Sequence, residues 1–220
     1  MKKILFVSLF TLLFAFSVNV SAAEKGWYMS GNLGVAMADD SNLGTLGEAD
    51  LEYITELDWP SGTTASIDLE YDMGIVLGAA VGYDFGDYRI ESELAYQAND
   101  MDKGTMRVTV PGEGSESDSA PMSGDVSSFT ILINGYYDFF KDSVLRPYIT
   151  AGIGYSFVDI EIESESDDDS VFAYQVGAGI TYEMNENITW DLRYRYFDTS
   201  DPLDLEYSSH SVTAGLRYYF

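Results

Sequence analysis

The chain contains no cysteine, which removes disulfides and thiolate metal sites from consideration. A single histidine, His210, leaves no histidine cluster for zinc. A small secreted enzyme stapled by disulfides is therefore excluded. Basic residues are scarce too: 11 Lys+Arg stand against 37 Asp+Glu in 220 residues, a formal net charge of -26 at pH 7. That charge repels nucleic-acid phosphates and anionic lipid headgroups and suits partners that are cationic, metallic or apolar. Beyond the N-terminal segment long apolar runs are also missing. The longest, Ile75 to Gly82, falls far short of the ~20 residues a helical membrane span needs. Aromatic residues and glycine are plentiful instead: 17 Tyr, 12 Phe, 3 Trp and 20 Gly do not make a disordered acidic polymer.

The N-terminus has the order of a secretory signal peptide: Met-Lys-Lys, an apolar run from Ile4 to Phe16, then the small residues Ser21, Ala22 and Ala23. The run is too short to span a membrane as a helix. Cleavage after Ala22, with Val20 and Ala22 read by the peptidase, divides the chain into a signal peptide, 1–22, and one domain, 23–220.

Across that domain apolar or aromatic residues recur at every second position in segments of roughly ten residues, the period of a β-strand. Trp27, Met29, Leu33 and Val35 alternate with Tyr28, Ser30 and Asn32. A second strand runs from Leu69 through Ile75 and Leu77 to Tyr83. Further strands carry Tyr88, Ile90 and Leu94; Phe129, Ile131 and Ile133; Ile149, Ile153 and Tyr155; Phe172, Tyr174 and Val176; Trp190, Leu192 and Tyr194; and Val212, Leu216 and Tyr218. The connections alternate between short (Phe85-Gly86-Asp87, Lys141 to Leu145, Asn185-Glu186-Asn187) and long (Ala38 to Asp68, Ala98 to Ser127, Asp159 to Ser170, Asp198 to Ser209). A soluble lipocalin-like barrel would put the apolar face inside, whereas here the other face is small and polar. Aromatic residues gather at both strand ends, bracketing an aliphatic band. The fold expected is all-β: an eight-stranded antiparallel transmembrane up-and-down β-barrel, monomeric, in the outer membrane of a Gram-negative envelope, surrounded by outer-membrane lipid.

The segments "GWYMSGNLGVAM", "GIVLGAAVGYDFGDYRIESELAYQ", "ILINGYYDF", "RPYITAGIGYSF", "AYQVGAGITYEMNENITWDLRYRYFD" and "HSVTAGLRYYF" together resemble the eight-stranded outer-membrane β-barrels of the opacity and surface-antigen type, porin-family proteins related to the OmpA-like transmembrane domain. The resemblance covers essentially the whole chain after the signal. It speaks strongly for the fold and weakly for function, since the family shares no catalytic motif. It implies that Tyr218 and Phe220 form the terminal signal read by the barrel-assembly machinery.

Charged residues on the inward face break an otherwise small, polar lumen. Arg89, Arg193, Arg195 and Arg217 oppose Glu91, Glu93, Glu183 and Asp191. An eight-stranded barrel is just wide enough for side chains to fill it, so Glu93 is expected to meet Arg193 across the lumen. The arrangement favours a salt-bridged plug over a gated narrow pore, which would show rings of one sign. Most carboxylates sit in the long loops, and the run Glu161, Glu163, Glu165, Asp167, Asp168 and Asp169 could hold a hard cation. It lacks the glycine and spacing of an EF-hand loop, so solvated negative surface is the simpler reading. Leu51, Tyr53, Thr55, Leu57 and Trp59 alternate before Pro60-Ser61-Gly62, and Ile67, Leu69 and Tyr71 after it, suggesting a projecting hairpin. Met106, Val108 and Val110 before Pro111-Gly112 suggest another, and an exposed strand edge there could take a partner by strand addition.

His210 stands between Ser209 and Ser211 at a strand's outer end. Lipid A deacylases of this size pair a His and a Ser two apart, but Val212 occupies that place here. No cofactor is expected. The function expected is a surface-exposed structural or interaction protein, adhesin- or antigen-like, whose loops meet a host or surface ligand or divalent cations. A small gated porin is the first alternative, and a barrel enzyme acting on lipid A or peptides the second.

Overall fold

The structure is a computed structural model that describes residues 26–56, 58–121, 124–140, 143–162, 165–200 and 207–220, without the side chains of Leu43, Ile54 and 161–169. The expected signal segment, 1–22, lies outside the described residues.

In chain order the elements are β1 (Gly26–Ala38), β2 (Ser41–Gly47), α1 (Glu48–Thr55), β3 (Thr64–Tyr71), β4 (Gly74–Asp84), β5 (Tyr88–Val110), β6 (Gly114–Pro121), β7 (Gly124–Asp138), β8 (Leu145–Ile162), β9 (Glu165–Glu183), β10 (Ile188–Thr199) and β11 (Ser208–Tyr219). Eight of the strands close an antiparallel ring in the order β1, β4, β5, β7, β8, β9, β10, β11 and back to β1. The ring matches the expected eight-stranded barrel. Its cause is the two-residue period: Leu33, Ile75, Ile153 and Leu192 stand exposed outside, while Arg89, Glu93, Asn134 and Gln175 are buried within. Such a surface is stable only where the surroundings are as apolar as the side chains it presents.

Aromatic rings pair on the outside at the end with short turns, Trp27 on Tyr83 with centroids 5.4 Å apart and Tyr88 on Tyr137 at 5.2 Å. Inside, two tyrosines lie across glycines of the neighbouring strand, Tyr28 opposite Gly82 and Tyr148 opposite Gly179. A Cβ at Gly179 would come within 2.5 Å of the Tyr148 ring, so glycine is what admits the ring to the narrow interior.

Three strands lie outside the ring or extend it. The expected second strand, Leu69 through Tyr83, is in fact two: Asp72 and Met73 interrupt it, and only β4 joins the barrel. β3 instead pairs with β2 on one side and with the upper part of β5 on the other, and β6 completes this sheet beside β5. The 51–59 alternation is not a strand either. Glu48 to Thr55 form α1, since Glu, Ala and Leu favour helix and Glu48 and Asp50 place negative charge at the N-terminus of its dipole. The Asp50 carboxylate accepts the Gly47 N–H at 3.1 Å, and Leu51 is buried. Glu56, in the left-handed region at φ 56°, ends the helix. The second expected hairpin is present: β5 runs to Val110, turns with Gly112 at φ 88° and Gly114 at φ 106°, and returns as β6.

Candidate functional site

The lumen holds its side chains in layers. At the turn end Arg89 grips Asp138 in a fork, Nε to Oδ2 at 2.6 Å and Nη2 to Oδ1 at 2.9 Å. Arg217 reaches Asp191 at 3.4 Å, and Tyr148 donates to the other Asp191 oxygen at 2.9 Å. Asp84, Arg89, Asp138 and Arg217 line a small polar recess, and Ser30, Asn32, Glu91, Arg193 and Arg217 line a second, each with room for no more than a water or two.

Further in, Glu91 accepts hydrogen bonds from Ser30 at 3.2 Å and Tyr136 at 2.7 Å. The Tyr136 hydroxyl in turn accepts Arg193 Nη1 at 3.1 Å, so Glu91 reaches Arg193 through a tyrosine. Glu93, completely buried, meets Arg193 Nη2 at 3.0 Å and Arg195 Nη1 at 3.6 Å. Its other oxygen accepts Asn134 at 2.6 Å and Gln175 at 3.2 Å. A buried carboxylate is tolerated only when its lone pairs are taken up this completely.

Seven of the eight charges named from the sequence thus face the lumen. Glu183 does not join them: as the last residue of β9 it sits at the turn-end rim, 39% exposed, and pairs with Arg146 at 2.5 Å. Sequence reasoning missed Asp138, the strongest partner in the turn-end layer. It ends β7 beside a turn, where alternation stops being readable.

Toward the long-loop end the layers change character. Gln97 donates to the Tyr207 hydroxyl at 3.0 Å and accepts from Ser209 at 3.3 Å. Above them Leu69, Met101, Val126, Val158, Ile160, Val171, Ala173, Phe197 and Tyr207 form one buried apolar cluster across the barrel mouth. Sequence reasoning missed this layer because Met101, Val126, Ile160 and Tyr207 fall in stretches read as long connections, whereas β5, β7 and β8 run on into them. The signal was there, since Val126, Val158 and Phe197 are apolar residues in the inward phase at the strands' loop ends.

His210 faces outward at the loop-end rim. Its Nδ1 lies 2.6 Å from the Tyr194 hydroxyl and its Nε2 3.6 Å from Asp39, to which Ser208 donates at 2.6 Å. Ser209 and Ser211 are buried on the opposite, lumen face. On the projecting sheet Lys103 bonds Glu70 at 2.9 Å, and that carboxylate holds its ammonium above the ordinary lysine value. The acidic run Glu161, Glu163, Glu165, Asp167, Asp168 and Asp169 lies outside the described side chains. Tyr218 stands opposite Met29 on the closing pair of strands, with its ring 5.6 Å from Phe220, whose N–H donates to the Trp27 carbonyl at 3.1 Å.

An apolar outer wall, a filled polar lumen and alternating short and long connections define an integral β-barrel of the outer membrane. The chain belongs to the outer membrane protein beta-barrel domain family, whose match runs over residues 8–220. It is similar to the outer membrane protein PagN of Salmonella typhimurium, 26% identical over 213 residues, covering 90% of this chain and 84% of that protein. It is also similar to the opacity protein opA67 of Neisseria gonorrhoeae, 23% identical, covering 83% of this chain and all of that one (100%). Among solved structures, Neisserial surface protein A has the same fold, with a TM-score of 0.58 at 18% identity, covering 91% of this chain and 100% of that one. In barrels of this kind the short turns face the periplasm and the long connections the exterior.

Proposed function

We propose that this barrel is a membrane anchor for an interaction surface, adhesin- or antigen-like, built on the extracellular sheet. The observation that carries this reading is the continuity of β5, a single strand of 23 residues that spans the barrel and goes on to form the middle of the sheet. A strand shared by wall and projection ties the outer surface to the barrel through ladders on both of its edges, which suits recognition better than a free loop does. The name of Neisserial surface protein A supports a role at the surface. Acidic side chains dominate α1, with Tyr53 standing 88% exposed among Glu48, Asp50, Glu52 and Glu56. The ligand is therefore cationic or apolar in its contacting groups.

The chain works as a monomer after export by a cleaved signal peptide, residues 1–22, and Tyr218 and Phe220 engage the assembly machinery. The lumen charges Arg89, Glu91, Glu93, Asp191, Arg193, Arg195 and Arg217 act as a plug. The reading includes no catalytic activity, for His210 and its flanking serines face opposite sides of the wall. Outer-membrane vesicles carrying the intact chain should adhere to cultured cells more than vesicles carrying the same barrel with residues 39–73 replaced by a short turn. Equal adherence on every surface tried overturns the reading, and N-terminal sequencing of the folded barrel checks cleavage after Ala22.

A further inference from the structure

The apolar layer across the barrel mouth is not made by the barrel alone. Val126, Val158, Ile160, Val171, Ala173 and Phe197 come from ring strands, and Met101 from β5 where it leaves the ring. Leu69, 1% exposed, comes from β3, which forms no part of the ring; Ile67 and Tyr71 of the same strand pack against the cluster. We propose that β3 and the upper part of β5 form a hinged lid on the lumen, with Leu69 as its latch.

Two irregularities mark the hinge. Glu70 pairs with Lys103 but Tyr71 with Met101, so Asp102 is an extra residue on β5, a bulge that bends the strand where it leaves the barrel. On the other side Asp72 and Met73 separate β3 from β4. Because β3 contributes no ladder to the ring, the lid can lift about this line without breaking any of the eight barrel pairings.

The layers beneath give the lid something to close. Gln97, Ser209 and the Tyr207 hydroxyl lie directly under the apolar cluster, and both described recesses lie in the periplasmic half. An apolar constriction closes a polar passage by excluding water, with no need for a charged gate. The polar lumen is therefore sealed toward the exterior by a layer that the extracellular sheet can remove. A ligand that pulls on the sheet would unseat Leu69.

The absence of native cysteine makes the test clean. Ser209→Cys places a thiol just below the seal and Ser30→Cys one in the deeper recess. A membrane-impermeant cationic methanethiosulfonate is added to intact cells, and labelling rates are compared with and without Leu69→Ser. The lid predicts that Ser209→Cys is protected while Leu69 is intact and reacts faster by about tenfold or more once it is replaced. Ser30→Cys stays protected from the outside in both, because the Glu93 layer lies between. Leu46→Ser, on the same sheet but away from the cluster, should leave Ser209→Cys protected. Heat-modifiable migration confirms that each barrel is folded, and Leu69→Ala gives the same comparison if the serine variant does not assemble. Rapid labelling of Ser209→Cys with Leu69 in place, or rates indifferent to Leu69 in folded barrels, overturns the proposal.

Discussion

Arg193 and Glu93, 100 positions apart in the chain, meet in the middle of the lumen with Nη2 3.0 Å from Oε1. Removing Arg193 leaves Glu93 buried with Arg195 at 3.6 Å as its remaining cationic partner. Breaking a buried pair by taking away one member typically costs about 3–5 kcal/mol, most of it the stranding of the other charge. Arg193→Ala is therefore expected to shift urea unfolding of the folded barrel to lower concentration by an amount in that range. A double variant, Glu93→Gln with Arg193→Met, should recover much of the loss, since it leaves no unpaired carboxylate. A single variant as stable as the parent would mean that the charges are hydrated rather than packed.

The ion pairs and the apolar layer act in series. Losing one pair weakens the plug but leaves the mouth sealed by Val126, Val158, Phe197 and Leu69. Planar-bilayer recordings should accordingly show no conductance steps for the parent chain or for Arg193→Ala alone. Regular steps in the parent would favour the narrow-pore alternative.

Most of the barrel was legible because a two-residue period constrains every residue of a strand. A one-residue slip would put Leu33 inside and Asn32 in lipid. The Glu93–Arg193 meeting followed from counting strands around a narrow ring. The projecting sheet was harder. Leu51, Tyr53 and Thr55 fit an alternating pattern as well as a helical one over so short a stretch, and the helix won on the capping Asp50 and the left-handed Glu56. The split between β3 and β4 was illegible because the alternation continues in phase from Leu69 to Ile75 across the break. Tertiary pairing with β5, not local pattern, decides where the strand leaves the wall.

Topology can be read with protease on intact cells. The turn around Pro111 to Glu113 is fully exposed at the tip of the extracellular sheet and should be cut. The turns at Phe85 to Asp87 and Met184 to Asn187 lie at the opposite end and should survive until the envelope is opened. Cutting of those turns in sealed cells would invert the orientation.

Deletion of Phe220 tests the assembly signal. The residue closes no lumen contact; its N–H bonds the Trp27 carbonyl, and its ring packs on Tyr218 at the outer surface. Loss of those two contacts is a small change to the finished barrel. A large fall in folded, heat-modifiable protein with export unchanged would therefore point to recognition during assembly, and an unchanged level would remove that role.

Tyr148 and Gly179 face each other across β8 and β9. Tyr148 is 2% exposed, donates to Asp191 at 2.9 Å, and lies with its ring centroid 5.1 Å from the Arg89 guanidinium. A methyl group at Gly179 would stand 2.5 Å from the phenol and 2.6 Å from the Leu192 carbonyl, so the ring must swing away and give up Asp191. Overpacking of this kind costs about 1–3 kcal/mol. Gly31 offers the comparison, since it faces outward and the nearest atom to an added Cβ is the Gly78 carbonyl at 3.9 Å. Glycine weakens a strand, so Gly31→Ala should leave stability unchanged or raise it slightly. Urea unfolding of the two variants side by side separates the effects: a clear loss for Gly179→Ala and none for Gly31→Ala is expected. If both behave alike, the Tyr148 ring is free to move, and the turn-end layer of the lumen is looser than the Arg89, Asp138 and Asp191 geometry describes.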